Sequence, residues 1–210
     1  MEKSEKDAPE TSTIASAGSV GALRPTAAHC TRCPLYRHAT QTVFGEGPVH
    51  ASLVLVGEQP GDREDMEGKP FVGPAGRLLN ACLKSAGLDR RQLYVTNAVK
   101  HFKWEPLGKR RLHKKPNARE VAACKPWLEA ELHLIQPKLV VALGATAAQA
   151  LMGPAFRVTK ARGQILSFQE KLHFMGTVHP SSLLRAPAED RDEQIELFTQ
   201  DLRKAALFLK

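Results

Sequence analysis

The chain has few aromatic residues and few cysteines, and it has no long apolar run. Aromatic residues make up 6% of its 210 residues, and only four residues are cysteine. No stretch reaches the roughly 18 consecutive apolar residues of a membrane-spanning helix, so this class of protein is excluded. The first twenty residues also lack the apolar core of a secretory signal, which predicts a cytoplasmic location. In that compartment cysteines indicate metal binding or packing before disulfides.

Several familiar catalytic motifs are absent as well. The sequence contains no GxxxxGK[ST] phosphate loop, no HExxH zinc motif and no GxSxG nucleophile motif. Residues 45–47 read Gly-Glu-Gly, but they lack a third glycine and come before a predicted strand, which is the wrong context for a dinucleotide site. The common nucleotide-binding and hydrolase signatures therefore do not apply.

Positive charge is concentrated in one short segment. Residues 100–119 contain eight of the 30 basic residues and one acid, Glu105, so this window carries +7 of the formal net charge of +8. One basic patch on an otherwise balanced body is typical of a contact with a phosphate backbone, and a solvated loop is the alternative.

Apolar runs that alternate with helical patterns indicate the fold class. The runs read as strands buried on both faces of a parallel sheet, at residues 52–57, 93–96, 138–143 and 173–178. Helices are predicted over residues 74–86, 118–134, 144–152 and 189–208. Pro126 predicts a kink or a break in the second of these. The pattern predicts a three-layer α/β/α sandwich with a mainly parallel four-stranded central sheet, and residues 162–168 are a candidate edge strand.

The domain organisation follows from composition. Residues 1–22 are small and polar without periodicity, which predicts a disordered tail. Residues 23–210 are predicted to form a single domain.

Polar residues follow three of the predicted strands. Glu58 comes after the first strand, Asn97 after the second and His179 after the fourth. Ligands of open α/β sheets bind at the carboxyl ends of the strands, so these side chains are predicted to share one pocket. The alternative is that each of them caps a turn.

The cysteines form an incomplete ligand set. Cys30 and Cys33 have the C-x2-C spacing that lets two thiolates hold one metal site, and Cys124 offers a third ligand. Cys82 lies on the apolar face of its helix and is predicted to belong to the core. Packed or exposed thiols are the alternative for the C-x2-C pair.

Four motifs in a fixed order resemble those of the iron–sulfur uracil-DNA glycosylases of family 4. They are GEQPG at 57–61, KPFVGPAG at 69–76, TNAVK at 96–100 and HPSS at 179–182. The resemblance covers about residues 26–208. Within that family the chain is most similar to the UdgX branch, which has Gln in the first motif and an inserted loop that reads KRRIH. Here the loop reads KRRLH at 109–113, inside an inserted basic segment at 103–116.

The resemblance implies a cofactor and a partner. Family 4 enzymes hold a [4Fe–4S] cluster, and UdgX-like proteins have His where the others have their third cysteine. Cys30, Cys33, His101 and Cys124 are then the implied ligands, although residue types alone would equally allow a Cys3His zinc site. The implied partner is uracil-containing DNA, single-stranded as well as duplex. We expect a monomer without membrane contact, in the bacterial cytosol or nucleoid.

The resemblance also implies roles in uracil excision. A glycosylase reaches its base by flipping it out of the duplex or by taking single strands. Phe71 would stack on uracil, Asn97 would bind its Watson–Crick edge, and Gln59 would contact the base. His179 would stabilise the charge that develops on uracil O2. The implied DNA contacts are Lys109, Arg110, Arg111 and Ser181.

The inserted loop implies a covalent outcome. In UdgX-like proteins the loop histidine, here His113, attacks the sugar C1′ and stays bonded to the abasic site. Glu58 would orient His113 or receive its proton, as in other nucleophile–base pairs. The sequence therefore predicts a uracil-excising protein that crosslinks itself to DNA. The alternatives are a conventional turnover glycosylase and a non-enzymatic DNA-binding module with a structural zinc.

Overall fold

The predicted parallel strands form the centre of a five-stranded sheet in the computed structural model, which describes residues 8–210. The strands of these residues are β1 (Leu53–Gly57), β2 (Tyr94–Asn97), β3 (Trp104–Leu107), β4 (Arg110–His113), β5 (Leu139–Leu143), β6 (Ile165–Gln169) and β7 (Leu172–Thr177). The main sheet has the order β2-β1-β5-β7-β6. Strands β2, β1, β5 and β7 are parallel, and β6 is antiparallel to β7.

The sheet therefore has one strand more than the four predicted. The additional strand, β6, occupies the candidate edge segment. Only residues 170 and 171 separate β6 from β7. A connection this short can join antiparallel neighbours but cannot make a parallel crossover, which explains why the edge strand reverses direction.

Helices cover both faces of this sheet. The α-helices of the described residues are α1 (Thr11–Ala15), α2 (Val20–Ala28), α3 (Asp62–Glu67), α4 (Pro74–Ser85), α5 (Ala118–Ile135), α6 (Ala145–Met152), α7 (Val158–Ala161), α8 (Pro180–Leu184) and α9 (Ala188–Phe208). Within residues 8–210, none of them has the length and apolar character needed to cross a membrane.

Alternating residues of β1 show how the layers are built. Val54 and Val56 join one apolar core together with Trp127 of α5, whereas Leu53 and Leu55 join a second core together with α4 and α9. Successive side chains of a strand point to opposite faces, so every residue of β1 is buried. This is the reason why the strand reads as a continuous apolar run.

Helix boundaries follow the local sequence signals. Pro74 opens α4, and Gly87 beyond its end has φ = 79°, a conformation that favours glycine. Asn117 and Glu120 form a complete capping box at the start of α5. Of the kink or break predicted at Pro126, the break does not occur, because α5 continues from Ala118 to Ile135.

The predicted disordered tail is wrong for residues 8–22. Helix α1 and the first turn of α2 lie in this segment, and Ile14 is only 1% exposed. Arg32 fixes the segment, because its guanidinium donates to the carbonyl of Pro9 at 2.5 Å and to Thr11 Oγ1 at 3.0 Å. The apolar residues of this segment are widely spaced and show no periodicity in the sequence, but they pack against α5. Residues 1–7 of the predicted tail lie outside the described residues.

The inserted segment at 103–116 is an ordered hairpin. Strands β3 and β4 pair antiparallel, with Trp104 opposite His113 and Leu107 opposite Arg110. Gly108 in the two-residue turn has φ = 57°, as such tight hairpin turns require. The segment that was predicted as a loop thus carries His113 at the end of its second strand.

Candidate active site

Three strand ends meet at one edge of the sheet, as the sequence predicted. Gly57 at the end of β1 is paired in register with Asn97 at the end of β2. His179 follows β7, and its ring centroid lies 6.0 Å from that of Phe71. Phe71, Asn97 and the segment after β1 thus surround one site with His179.

Gly57 leaves the space that this convergence needs. A Cβ at Gly57 would collide with the amide oxygen of Asn97 and with the ring of Phe71. A side chain here would displace both groups. Glycine is therefore the residue that fits at this position of the GEQPG motif without moving Asn97 and Phe71.

The backbone of Phe71 is held in an unusual conformation. Its φ is 57°, in the left-handed region that bulky residues avoid. Gly76 lets the start of α4 approach, because a Cβ there would overlap the Phe71 backbone. Glu64 is buried, and its carboxylate accepts a hydrogen bond from the N–H of Gly73 at 2.9 Å. This bond fixes the chain just after Phe71. The surroundings therefore hold this strained residue with its ring in the site.

A buried ion pair supports Asn97 from behind. Lys100 Nζ donates to Glu131 Oε2 at 2.5 Å and to the backbone carbonyl of Asn97 at 2.8 Å. Tyr94 and Thr96 donate their hydroxyl groups to the same carboxylate. Burial and the neighbouring Glu131 raise the pKa of Tyr94. Each charge is paired and hydrogen-bonded, as buried charges must be.

His179 is a neutral imidazole with a defined tautomer. Burial lowers its pKa to about 4, and His113 and Arg185 act in the same direction. The backbone N–H of Ser181 donates to Nδ1 at 3.2 Å, and Ser181 Oγ lies 2.8 Å from this nitrogen. Because Nδ1 is an acceptor, the ring proton is on Nε2, which is a hydrogen-bond donor.

His113 and Glu58 lie beside each other, and both reach this site. His113 Nε2 is 3.7 Å from Glu58 Oε1, and the hydroxyl of Thr146 donates to Glu58 Oε2. Burial lowers the pKa of His113, Glu58 opposes this effect, and Arg185 adds to it. The lowered pKa favours the neutral imidazole, the form that carries a lone pair for nucleophilic attack.

Gln59 is engaged with the hairpin. Its Oε1 accepts from the N–H of Lys103 at 3.1 Å, and its Nε2 donates to the carbonyl of Lys114 at 2.9 Å. The same Nε2 lies 2.8 Å from His113 Nε2. The amide predicted to contact uracil thus joins the two ends of the hairpin and holds His113.

The cations of the hairpin divide into two groups. Arg111 forms ion pairs with Asp62 at 2.5 Å and with Asp65 at 2.6 Å, and its guanidinium lies over the Trp104 ring. This residue fastens the hairpin to α3 and is already paired. Lys109 and Arg110 at the tip are exposed, where they can reach phosphate groups.

The predicted metal ligands are all buried. Cys30, Cys33 and Cys124 are free thiols, and His101 is buried with its Nε2 2.8 Å from Thr42 Oγ1. Burial raises the pKa of Cys124 to about 12 and also raises that of Cys33. Cys30 adds to both shifts, and Cys33 also adds to that of Cys124, which indicates that the thiols lie near one another.

The donor chemistry at these cysteines fits an iron–sulfur group. Trp127 Nε1 donates to Cys30 Sγ at 3.2 Å, and the backbone N–H of Lys100 donates to Cys124 Sγ at 3.2 Å. Hydrogen bonds to sulfur recur around such clusters. Among residues 8–210, no three Cys, His, Asp or Glu side chains are grouped closely enough to hold one metal ion.

Sequence reasoning missed several residues of the site. Thr146 follows β5, the parallel strand for whose end the sequence predicted no site residue, although strand ends are where ligands bind. Asp62 and Asp65 lie 49 and 46 positions before Arg111, so no local pattern linked them to the basic insertion. No sequence pattern indicated the Lys100–Glu131 ion pair, since the two residues are 31 positions apart.

Comparison with known proteins agrees with this geometry. Residues 44–203 match the family described as the Uracil DNA glycosylase superfamily. A type-4 uracil-DNA glycosylase of Thermotoga maritima is 38% identical over 182 residues, which cover 86% of this chain and 90% of that protein. A type-4 enzyme of Sulfurisphaera tokodaii is 38% identical over 75% of this chain and 72% of its own length. A type-5 enzyme of Pyrobaculum aerophilum is 27% identical over 74% of this chain and 79% of its own length. The chain therefore belongs to the uracil-DNA glycosylase superfamily.

Proposed function

We propose that the protein is a uracil-DNA glycosylase that excises uracil from DNA and then captures the abasic sugar through His113. The position of His113 carries this proposal. The residue lies 3.7 Å from Glu58, is held by Gln59, and is near enough to His179 to lower the pKa of that imidazole. A nucleophile and a leaving-group donor thus face the same site.

Uracil recognition uses the buried pocket. Phe71 offers a ring face for stacking, and Asn97 offers an amide for the Watson–Crick edge of the flipped base. The support from Lys100 and Gly57 keeps both groups in place before the base enters.

Cleavage breaks the bond between the sugar C1′ and N1 of uracil. The bonding electron pair leaves with the base, so the sugar becomes an oxocarbenium ion and uracil an anion. His179 donates its Nε2–H to the developing charge on uracil O2. A preorganised donor of this kind contributes about 3–4 kcal/mol to transition-state stabilisation.

Capture forms a bond between His113 and C1′. The lone pair of the neutral imidazole attacks the cation, and the ring becomes an alkylated imidazolium. This ring then loses its remaining N–H proton to solvent, and the uracil anion takes up one proton. The net change replaces the uracil on C1′ by His113 and releases neutral uracil.

The basic hairpin provides the DNA contact. Lys109 and Arg110 at its tip bind phosphates of single-stranded or duplex DNA, while Arg111 holds the hairpin to α3. Ser181, for which a DNA contact was also predicted, supports His179 through Nδ1.

Cys30, Cys33, His101 and Cys124 would hold a [4Fe–4S] cluster at the cysteine site. Such a cluster is a one-electron redox centre, and a histidine ligand raises its potential relative to four cysteines. Lys100 connects the two sites within this chain, because its N–H binds Cys124 Sγ and its Nζ binds the Asn97 carbonyl.

The test is denaturing gel electrophoresis after mixing the protein with single-stranded DNA that contains one uracil. We expect a shifted band that survives denaturation, and none with thymine in place of uracil. Free abasic DNA as the main product would indicate a turnover glycosylase. DNA binding without uracil release, by a colourless protein with one zinc, would indicate a DNA-binding module.

A further inference from the structure

The two carboxylate oxygens of Glu58 have different partners. Oε1 lies 3.7 Å from His113 Nε2, while Oε2 accepts a hydrogen bond from Thr146 Oγ1. An ionised carboxylate has only acceptors and a threonine hydroxyl has one proton, so Thr146 is the donor. The end of Glu58 that faces away from His113 is therefore fixed by a second side chain.

This hydrogen bond decides where Glu58 points. The terminal torsion of a glutamate has broad minima, so an exposed carboxylate rotates with little resistance. A donor on Oε2 restricts that rotation and leaves Oε1 directed at His113. Removal of the donor would let the carboxylate turn towards solvent, since its side chain is 22% exposed.

The sheet itself places the Thr146 hydroxyl. Thr146 is the second residue of α6, which begins directly after β5, and it is 7% exposed. The N–H of Gly144 donates to the carbonyl of Thr177 in β7 at 2.8 Å, and the neighbouring Ala147 is fully buried. The hydroxyl thus belongs to the rigid pocket, although it acts on a group that faces the hairpin.

We propose that Thr146 is a positioning residue, which keeps the Glu58 carboxylate directed at His113 so that it stabilises the imidazolium formed during capture of the sugar. This inference rests on the proposed function. It extends the pair of Glu58 and His113 to three residues, of which Thr146 touches neither uracil nor sugar.

The experiment compares Thr146→Val, which keeps the shape, with Thr146→Ser, which keeps the hydroxyl. Crosslink formation and uracil release are followed in single turnovers with excess protein on uracil-containing single-stranded DNA. We expect Thr146→Val to slow crosslinking about 10-fold or more and to raise the share of free abasic DNA, because a hydrogen bond to a charged group is lost. Thr146→Ser should stay within about threefold of the unchanged protein, since an O–H donor is present.

Two controls make the result specific. Thr199→Val removes a similarly buried helical hydroxyl on α9, one that donates to the Ile195 carbonyl, so crosslinking should be unchanged. In a Glu58→Ala background, Thr146→Val should have no further effect, because the two residues act through one contact.

Three outcomes would overturn the inference. One is an unchanged crosslinking rate in Thr146→Val, and another is equal loss in the valine and serine variants, which would indicate packing alone. The third is a further loss in the Glu58→Ala background. If the unchanged protein releases uracil without forming a shifted band, the proposed function fails first and the inference fails with it.

Discussion

The pocket and the hairpin hold their functional groups in different ways. Asn97 and His179 sit at strand ends, Phe71 lies in the turn between α3 and α4, and buried side chains surround them. His113 lies on a two-stranded hairpin, with its side chain 49% exposed, and polar contacts from Gln59 and Arg111 fasten that hairpin. The groups for bond cleavage thus depend on the core, and the group for capture depends on removable surface contacts. This difference predicts that excision and capture can be separated by mutation.

The sharpest separation is expected for His113→Ser. We expect the denaturation-resistant complex to disappear while uracil release continues, because water can then reach the sugar cation. The measurement follows free uracil and shifted protein in the same reaction. His133→Ser, a change at an exposed histidine on α5, is the control and should crosslink normally. A shifted band in His113→Ser would mean that another residue is the nucleophile.

Removal of a proposed cluster ligand tests the assignment of the cysteine site. Cys124→Ala should lose its iron, because three ligands remain where four are needed, and iron content with visible absorbance measures this. Cys82→Ala is the matched control: it should keep its iron and lose no more than about 1–3 kcal/mol of stability. His101→Cys should remain brown, since cysteine is the usual ligand. Full iron content in Cys124→Ala would refute the ligand assignment.

His179→Ala should impair the pocket and leave the hairpin intact. Loss of a preorganised donor slows the chemical step by about 100–1,000-fold, so uracil release itself should fall by this amount. Crosslinking should fall only in proportion, and the fraction of released uracil that ends in crosslinks should stay constant. A variant that releases uracil normally but fails to crosslink would reverse the roles assigned to His179 and His113.

The pH dependence of capture distinguishes the two histidines. Only the neutral His113 has a lone pair, and burial lowers its pKa below the usual value of about 6.5. The midpoint of the decline in crosslinking rate should therefore lie below pH 6.5, as the imidazole gains a proton. His179, with a pKa of about 4, stays neutral over most of this range. Single-turnover rates between pH 5 and 8 test this, and a decline with its midpoint above pH 6.5 would contradict it.

The smallest effect is expected at the tip of the hairpin. Lys109→Ala should weaken binding to uracil-containing and uracil-free DNA alike. The slope of log affinity against log salt concentration should become shallower by an amount that corresponds to about one phosphate contact. Titrations at several salt concentrations measure both quantities. Lys171→Ala, in the turn between β6 and β7, changes the same charge away from the hairpin and serves as the control. Salt-independent affinity in the unchanged protein would show that the basic patch does not bind DNA.

Local signals predicted much of the fold and part of the site. The buried strands, the Pro74 and Gly87 boundaries and the Asn117–Glu120 capping box follow from periodicity and capping chemistry, which act within a few residues. Strand-end loops then placed Glu58, Asn97 and His179 at one edge, because parallel strands share their direction.

The remaining features depend on contacts between distant parts of the chain. Ile14 and the rest of α1 are ordered by packing against α5, which no local pattern reveals. The ion pair of Arg111 with Asp62 attaches the hairpin. The Gln59 side chain points towards the hairpin because the backbone at both hairpin ends offers hydrogen-bond partners. These interactions are long-range, so the sequence could indicate their chemistry but not their partners.

The central claim is that His113 forms the bond to the sugar, and mass spectrometry of the crosslinked protein tests it directly. The protein is incubated with a short single-stranded DNA that contains uracil, digested with protease and nuclease, and its peptides are fragmented. The account predicts a deoxyribose-derived adduct on His113 and on no other residue. An adduct on a different side chain, or complete conversion of the uracil without any adduct, would contradict it.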